Sequence, residues 1–231
     1  TTLLRERGVE PAAVAGPSAG EDGALVAAGA LTLPDAMRAI GERGRAMAEA
    51  APYGTSSMAA VLGLATAKVE AAIRGIPGVW PANYNTPTQT VVAGTVQGVE
   101  AATPKVLEAG ARRVLPLKVA AAFHTPLMQP AAARLRRVLD QVCWSSPGIP
   151  VVANVTADLY TEGTGAPDLL ERQLDSPVRW GDCVLRLRDL GCDRFLEVGP
   201  RRALSGMLRE LTPGLPAAQV GTPDAVAAYR A

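Results

Sequence analysis

The sequence predicts an α/β protein in which a larger sheet-and-helix domain is interrupted by a small βαββαβ module. Two observations carry this reading. Residues 55–119 run strand, helix, strand, strand, helix, strand, the order of a ferredoxin-like unit with its own core. Residues 11–30 run from a small apolar stretch through Gly16-Pro17-Ser18-Ala19-Gly20 into a helical stretch, a strand–turn–helix unit.

The elements follow in order. Residues 11–15 read as a short buried parallel strand and 21–30 as a helix, with Glu21 in the first turn favouring the helix dipole. A helix covers 34–51, where Ala36, Ile40, Met47 and Ala51 recur at helical spacing on one face. In the module, 57–63 alternates as a strand and 65–74 is helical. Strands 79–83 and 90–93 are joined through Asn85-Thr86-Pro87, 96–109 is helical, and 113–119 closes the unit. Beyond it, 135–142 is helical, 150–154 a strand, 182–190 a helix, 194–198 a strand ending at Gly199-Pro200, and 204–211 a helix. The expected division is therefore 1–54 with 120–231 as the large part and 55–119 as the small one, with an active site at their junction.

Composition narrows the function. The 231 residues carry a net charge of +1 with both signs scattered, which argues against a nucleic-acid or membrane-surface protein. No apolar stretch reaches the length of a membrane span, and residues 1–7 are not a signal peptide. Cys143, Cys183 and Cys192 are odd in number and lack metal-ligand spacing, so buried thiols in a reduced, cytoplasmic setting are expected, and no metal site. Trp80, Trp144 and Trp180 read as packing residues. Arg112-Arg113, Arg134-Arg136-Arg137 and Arg201-Arg202 read as solvated faces.

Three residues point to chemistry. Gly-x-Ser-x-Gly at 16–20 sets a serine on a sharp turn, with the N–H groups of a helix N-terminus beside it for an oxyanion. A serine hydroxyl needs a base, and the chain has one histidine, His124. Arg43 falls on the apolar stripe of helix 34–51. A guanidinium pointed inward requires an anion, supplied either by a structural salt bridge or by a substrate carboxylate held in the arginine fork.

Together these residues resemble the malonyl-CoA:acyl-carrier-protein transacylase family over nearly the whole chain. The resemblance is carried by Gly16-Pro17-Ser18-Ala19-Gly20-Glu21, Glu42-Arg43-Gly44-Arg45-Ala46-Met47 and Pro81-Ala82-Asn83-Tyr84-Asn85. It continues through residues 116–124, which end Phe123-His124, then Arg172-Gln173-Leu174-Asp175-Ser176-Pro177-Val178-Arg179-Trp180 and Glu197-Val198-Gly199-Pro200. The family's fold is a hydrolase-like parallel-sheet domain with a ferredoxin-like insert. The resemblance implies Ser18 as the nucleophile that takes malonyl from CoA and passes it to the phosphopantetheine thiol of acyl carrier protein. It implies His124 as the base and Gln173 as the residue whose backbone carbonyl orients it. Arg43 then pairs with the malonyl carboxylate, and the Ala19 N–H is an oxyanion donor. Met47 and Phe123 border the substrate, Phe123 in the malonyl-selecting form of its motif. No cofactor is implied, the CoA thioester being substrate.

Two positions depart from the family: Pro17 stands where histidine is usual, and Ala19 where a larger aliphatic is usual. The family also begins with a strand and a Gly-Gln-Gly loop that adds an oxyanion glutamine, and neither precedes Thr1. A longer parent chain or a complementing polypeptide is the corresponding expectation. An acyl-thioester hydrolase on the same Ser–His pair, or a non-catalytic carrier-binding fragment, are the alternative functions.

Overall fold

The computed structural model describes residues 2–52, 54–119, 121–200 and 202–229. Ala120, Arg201 and Thr1, named above, lie outside the described residues.

A helical platform comes first. Helices α1 (Thr2–Arg5) and α2 (Ala19–Ala27) precede the long α3 (Leu33–Ala50). Thr32 caps α3, its hydroxyl accepting from the Asp35 N–H at 3.2 Å, with Pro34 in the first turn where a missing N–H costs nothing. The buried face of α3 is Ala36, Ala39, Arg43, Ala46 and Met47.

The module follows: β1 (Ser56–Leu62), α4 (Thr66–Ile73), β2 (Val79–Thr86), β3 (Gln89–Thr95), α5 (Val96–Glu108) and β4 (Arg113–Pro116). Its strands form one antiparallel sheet in the order β2-β3-β1-β4. Period-two alternation divides its side chains. Ala59, Val61, Val79 and Val92 pack with Val69, Ile73, Val99 and Val106 of the two helices. Met58, Ala60, Val91 and Ala93 face the other way and pack with Ala122, Phe123 and Leu127. The sheet is thus covered on both faces, and its second face props the segment that carries His124.

After the module the chain returns to α3. Helix α6 (Gln129–Leu139) packs along it, α7 (Ala166–Asp175) packs on α6, and their core contains Leu25, Met47, Met128, Leu135, Leu139 and Leu174. Ion pairs edge this layer: Arg134 meets Glu42 and Glu49 of α3, and Arg136 meets Asp168 and Glu171 of α7. A last cluster gathers α8 (Trp180–Asp189), the parallel pair β5 (Phe195–Val198) and β6 (Ala217–Val220) with α9 (Ala203–Leu211) between them, and Val152 and Val178. Helix α10 (Pro223–Ala228) follows.

Several expectations are corrected. The strands expected at 11–15 and 150–154 are reduced to bridges: Val14 pairs in parallel with Val151, and Val152 with Leu159. Pro11 and Pro150 lack ladder donors, and the turn at Gly16 ends the first segment at once. The helix expected over 135–142 starts six residues earlier, at Gln129, because Pro130 stands in its first turn, and it stops at Leu139. The strand expected to reach residue 119 ends at Pro116. Helix α7 and strand β6 were not expected from the sequence. Of the thiols, Cys183 is buried, but Cys143 is exposed and Cys192 half-exposed. Trp180 is buried, and Trp80 and Trp144 are half-buried.

Leu139 is fully buried at the heart of the large core. Leu139→Ala should lower stability by about 2–5 kcal/mol, read from denaturant unfolding with an unchanged slope.

Candidate active site

Ser18 sits one residue before α2 with φ 54° and ψ −121°, a left-handed conformation that a side chain adopts only under constraint. The constraints are visible. A Cβ on Gly16 would lie 2.2 Å from the Gly20 carbonyl oxygen, so only glycine lets the two arms of the turn close. Buried Asn154 spans the turn from below: its Oδ1 accepts from the Ser18 N–H at 2.6 Å, and its Nδ2 donates to the Gly16 carbonyl at 2.9 Å. Asn154 is itself placed by the parallel contact, in which Val14 N–H donates to Pro150 and Val152 N–H donates to Val14.

His124 arrives from the opposite side. It too has positive φ, 61°, and its N–H donates to the Leu174 carbonyl at 3.1 Å. The imidazole lies between two partners: Nε2 is 2.8 Å from Ser18 Oγ, and Nδ1 is 2.7 Å from the Gln173 carbonyl oxygen. A carbonyl only accepts, so Nδ1 bears the proton and Nε2 presents its lone pair to the serine hydroxyl.

Arg43 reaches the same point from α3. Its Nη2 donates to Ser18 Oγ at 2.7 Å and to Gln173 Oε1 at 3.1 Å. Arg43 is 7% exposed, and among the described residues no carboxylate lies within 4.0 Å of its guanidinium. Its Nε is buried without a partner. Of the two readings of an inward arginine, the structural salt bridge is therefore absent.

At the start of α2 the N–H groups of Ser18, Gly20 and Glu21 are spent on Asn154, Pro17 and Ser18. The N–H of exposed Ala19 has no acceptor among the described residues. That donor is open beside the hydroxyl.

A family model described as the acyl transferase domain matches residues 1–223. The malonyl CoA-acyl carrier protein transacylase of Bacillus subtilis (strain 168) is 39% identical over 227 residues, 96% of this chain and 72% of the relative. The enzyme of that name from Escherichia coli (strain K12) is 40% identical over 228 residues, 97% of this chain and 74% of the relative. This chain belongs to the malonyl CoA-acyl carrier protein transacylase family.

Solved structures agree. A transacylase (MCAT) from Streptococcus pneumoniae superposes with a TM-score of 0.94 at 39% identity, covering 98% of this chain and 75% of that one. A malonyl-transacylase solved in complex with a type II PKS acyl-carrier protein gives 0.94 at 36% identity, covering 98% and 74%.

Within this transacylase fold, burial governs the electrostatics. Desolvation pulls His124 down to about 4, with the positive charge of Arg43 adding to the shift and the Gln173 carbonyl opposing it. The imidazole is thus neutral at pH 7, the form that can accept a proton. Glu21, 1% exposed, is raised to about 7 by burial against donors from Tyr160, Gln173 and Asn154. Asp22 is raised to about 6, also by burial, with Arg43 holding it down.

Of the residues expected at the site, Ser18, His124, Gln173 and Arg43 share one hydrogen-bonded cluster, and Ala19 adjoins it. Met47 is buried in the large core one turn beyond Arg43, and Phe123 is half-buried where that core meets the sheet. Neither Met47 nor Phe123 takes part in the cluster's hydrogen bonds. Asn154 and Tyr160 were missed, and Glu21 was read only as a helix-dipole residue. An Asn closing an apolar strand-like run was the available signal for the first. A concavity lined by Glu70, Tyr84, Arg179, Asp182 and Leu185, between the module and α8, contains none of these residues.

His124 is the sole histidine, so its ring gives one unambiguous set of imidazole NMR resonances. Its titration midpoint should fall near 4. A midpoint at the ordinary value of about 6.5 would mean an imidazole open to solvent.

Proposed function

We propose that the protein transfers a malonyl group from malonyl-CoA to the phosphopantetheine thiol of acyl carrier protein through an ester on Ser18. The supporting observation is the meeting at one hydroxyl of a neutral imidazole and a buried guanidinium that has no carboxylate partner. A plain acyl hydrolase needs the first and has no use for the second.

The chemistry follows from the geometry. His124 Nε2 takes the proton from Ser18 Oγ as the oxygen attacks the thioester carbonyl. The carbonyl oxygen becomes an oxyanion beside the Ala19 N–H. As the intermediate collapses, the C–S bond breaks and the imidazolium returns the proton to the CoA thiolate, leaving malonyl-Ser18. The carrier thiol then attacks the ester, His124 accepting its proton and passing it to the departing Ser18 oxygen. Throughout, Gln173 holds the tautomer through its backbone carbonyl. Arg43 binds the distal carboxylate, and Met47 and Phe123 shape the apolar wall around the acyl group.

The same reading extends to architecture and setting. We read the βαββαβ order and the strand order β2-β3-β1-β4 as a ferredoxin-like subdomain at 55–119, set into a hydrolase-like subdomain formed by 1–54 and 120–231. The reaction needs no cofactor or metal. Among the described residues no helix is long and apolar enough to cross a membrane. We place the reaction in the cytoplasm on the free thiols of Cys143, Cys183 and Cys192, which suit a reduced setting.

Incubation with malonyl-CoA followed by mass spectrometry tests the nucleophile. Ser18→Ala should show no malonyl adduct, and His124→Ala should acylate about 10² to 10⁴ fold more slowly. An adduct persisting on Ser18→Ala refutes the assignment, and release of free malonate without carrier protein would indicate a hydrolase.

Arg43→Ala should cost about 2–5 kcal/mol in malonyl transfer and leave acetyl transfer intact or improved. Arg43→Lys should restore little, because an ammonium lacks the planar fork. Equal losses for the two acyl groups would assign Arg43 a structural role.

A further inference from the structure

Glu21 is a buried carboxylate at the centre of the site that no step above uses. Its side chain meets only donors. Tyr160 Oη donates to Oε1 at 2.5 Å, the Asn154 N–H donates to Oε1 at 3.2 Å and Oε2 at 3.3 Å, and Gln173 Nε2 donates to Oε2 at 2.5 Å. An ionised carboxylate, which only accepts, matches this shell completely.

The contact with Gln173 has a consequence at the other end of that side chain. The two ends of a glutamine amide are nearly the same shape, so hydrogen bonding alone decides which way it lies. Here Nε2 stands between two acceptors, Glu21 Oε2 and the Ser18 carbonyl at 3.1 Å. That leaves Oε1 facing Arg43 Nη2 at 3.1 Å. The opposite orientation would set Oε1 against a carboxylate and an NH₂ against a guanidinium. Arg43 has no carboxylate within 4.0 Å among the described residues, so Gln173 Oε1 and Ser18 Oγ are the only side-chain acceptors that hold it.

We propose that Glu21 is a positioning residue for acyl-group selection, its carboxylate locking the Gln173 amide so that Oε1 holds the Arg43 guanidinium beside Ser18. The proposal rests on Arg43 being the partner of the malonyl carboxylate. Glu21 touches neither the reacting atoms nor the substrate. Its effect passes through Gln173 to Arg43, and so it should bear on which acyl group is accepted more than on how fast Ser18 reacts. The backbone carbonyl of Gln173, which orients His124, is held in α7 by the helix itself and is not reversed by a flip of the side chain.

Glu21→Gln is the discriminating variant. It keeps the shape but offers an NH₂ of its own, so the Gln173 amide is no longer compelled to one orientation. The measurement is kcat/KM for malonyl and for acetyl transfer in wild type, Glu21→Gln and Arg43→Ala, with thermal melts alongside. Glu21→Gln should lower the malonyl-to-acetyl ratio by about tenfold or more, the scale of a hydrogen bond to a charged group, chiefly through KM for malonyl-CoA. Equal losses for both substrates, or an unchanged ratio, would overturn the proposal. Arg43→Ala separates the two ideas. If it abolishes the preference while Glu21→Gln keeps it, only the role of Glu21 falls; if Arg43→Ala itself keeps the preference, the reading of Arg43 falls and takes this one with it.

The wild-type protein gives a second reading that needs no folded variant. The ionisable groups facing Glu21 are Asp22 on its own helix, Arg43 from α3, Tyr160 from the loop after Asn154, and Cys183 from α8. Protonation of Glu21, which sits at about 7, gives it a donor and releases Gln173, so the ratio should fall several-fold between pH 8 and pH 6. Asp22 titrates at about 6 beside Arg43, and losing its negative charge would strengthen the pull on a substrate carboxylate. The two groups thus drive the ratio in opposite directions. A ratio that rises on acidification counts against Glu21; a flat one is resolved with Asp22→Asn, which leaves Glu21 alone to titrate and in which a ratio that stays flat overturns the proposal.

Discussion

The site hangs on the backbone of Ser18. A non-glycine residue at φ 54°, ψ −121° costs on the order of 1–3 kcal/mol, and such a turn persists only where its surroundings over-determine it. Three things do so here. Gly16 permits an approach that any side chain would block, α2 fixes the exit, and Asn154 uses both ends of its amide to tie the two strands of the turn together. The strain has a return in geometry, because the hydroxyl is thrown clear of the strand-like segment and the Ala19 N–H is left open beside it. Asn154 depends in turn on the short parallel contact between Val14 and Val151, so an isolated bridge outside both sheets supports this tie.

Burial is the second constraint, and it acts on charged groups in opposing senses. Glu21 and Asp22 have folded pKa values above their ordinary ones, so the folded state binds those protons more tightly than the unfolded chain. Their contribution to stability is fully present below about 4 and is lost as the pH rises through 6 to 7. His124 is depressed, and its contribution runs the other way: it is present above about 6.5 and is lost as the pH falls toward 4. A fold selected for stability alone would replace two buried carboxyls and a guanidinium by apolar side chains. Their retention around one hydroxyl marks a place where stability is given up for chemistry.

The helices of the module and the long α3 were legible in the sequence because each buries one face at a regular period. The two central strand-like segments were over-read. Pro11, Pro150 and Gly16 were all visible, yet the small apolar runs between them outweighed the missing donors. Helix α7 escaped because its buried residues, Leu170, Gln173 and Leu174, include a polar side chain that periodicity counts as exposed. Ser18, His124 and Arg43 stood out individually, by turn pattern, by uniqueness and by violation of an apolar stripe. What no single-residue signal conveys is a hydrogen-bond network. Tyr160 and Asn154 are ordinary residues in sequence and take their meaning from Glu21, which lies more than 130 positions away.

The choice of partner for His124 fits the substrate. In many serine enzymes a carboxylate orients the imidazole and stabilises its cationic form. Here a neutral carbonyl, Gln173 O, takes that place. It fixes the same tautomer but adds no negative charge within the cluster. A carboxylate there would raise the His124 pKa and would also stand close to Arg43, whose Nη2 already lies against the side chain of that same Gln173. The guanidinium would then be neutralised from within, and an incoming malonyl carboxylate would meet both a competitor and a like charge. With the carbonyl, the buried acids near Arg43 among the described residues are Asp22 and Glu21, and neither lies within 4.0 Å of it. The fork is left protonated, tethered by two neutral oxygens, and with an unpartnered Nε. That is a cation held in place without being satisfied, as the proposed recognition of an anionic acyl group beside Ser18 requires.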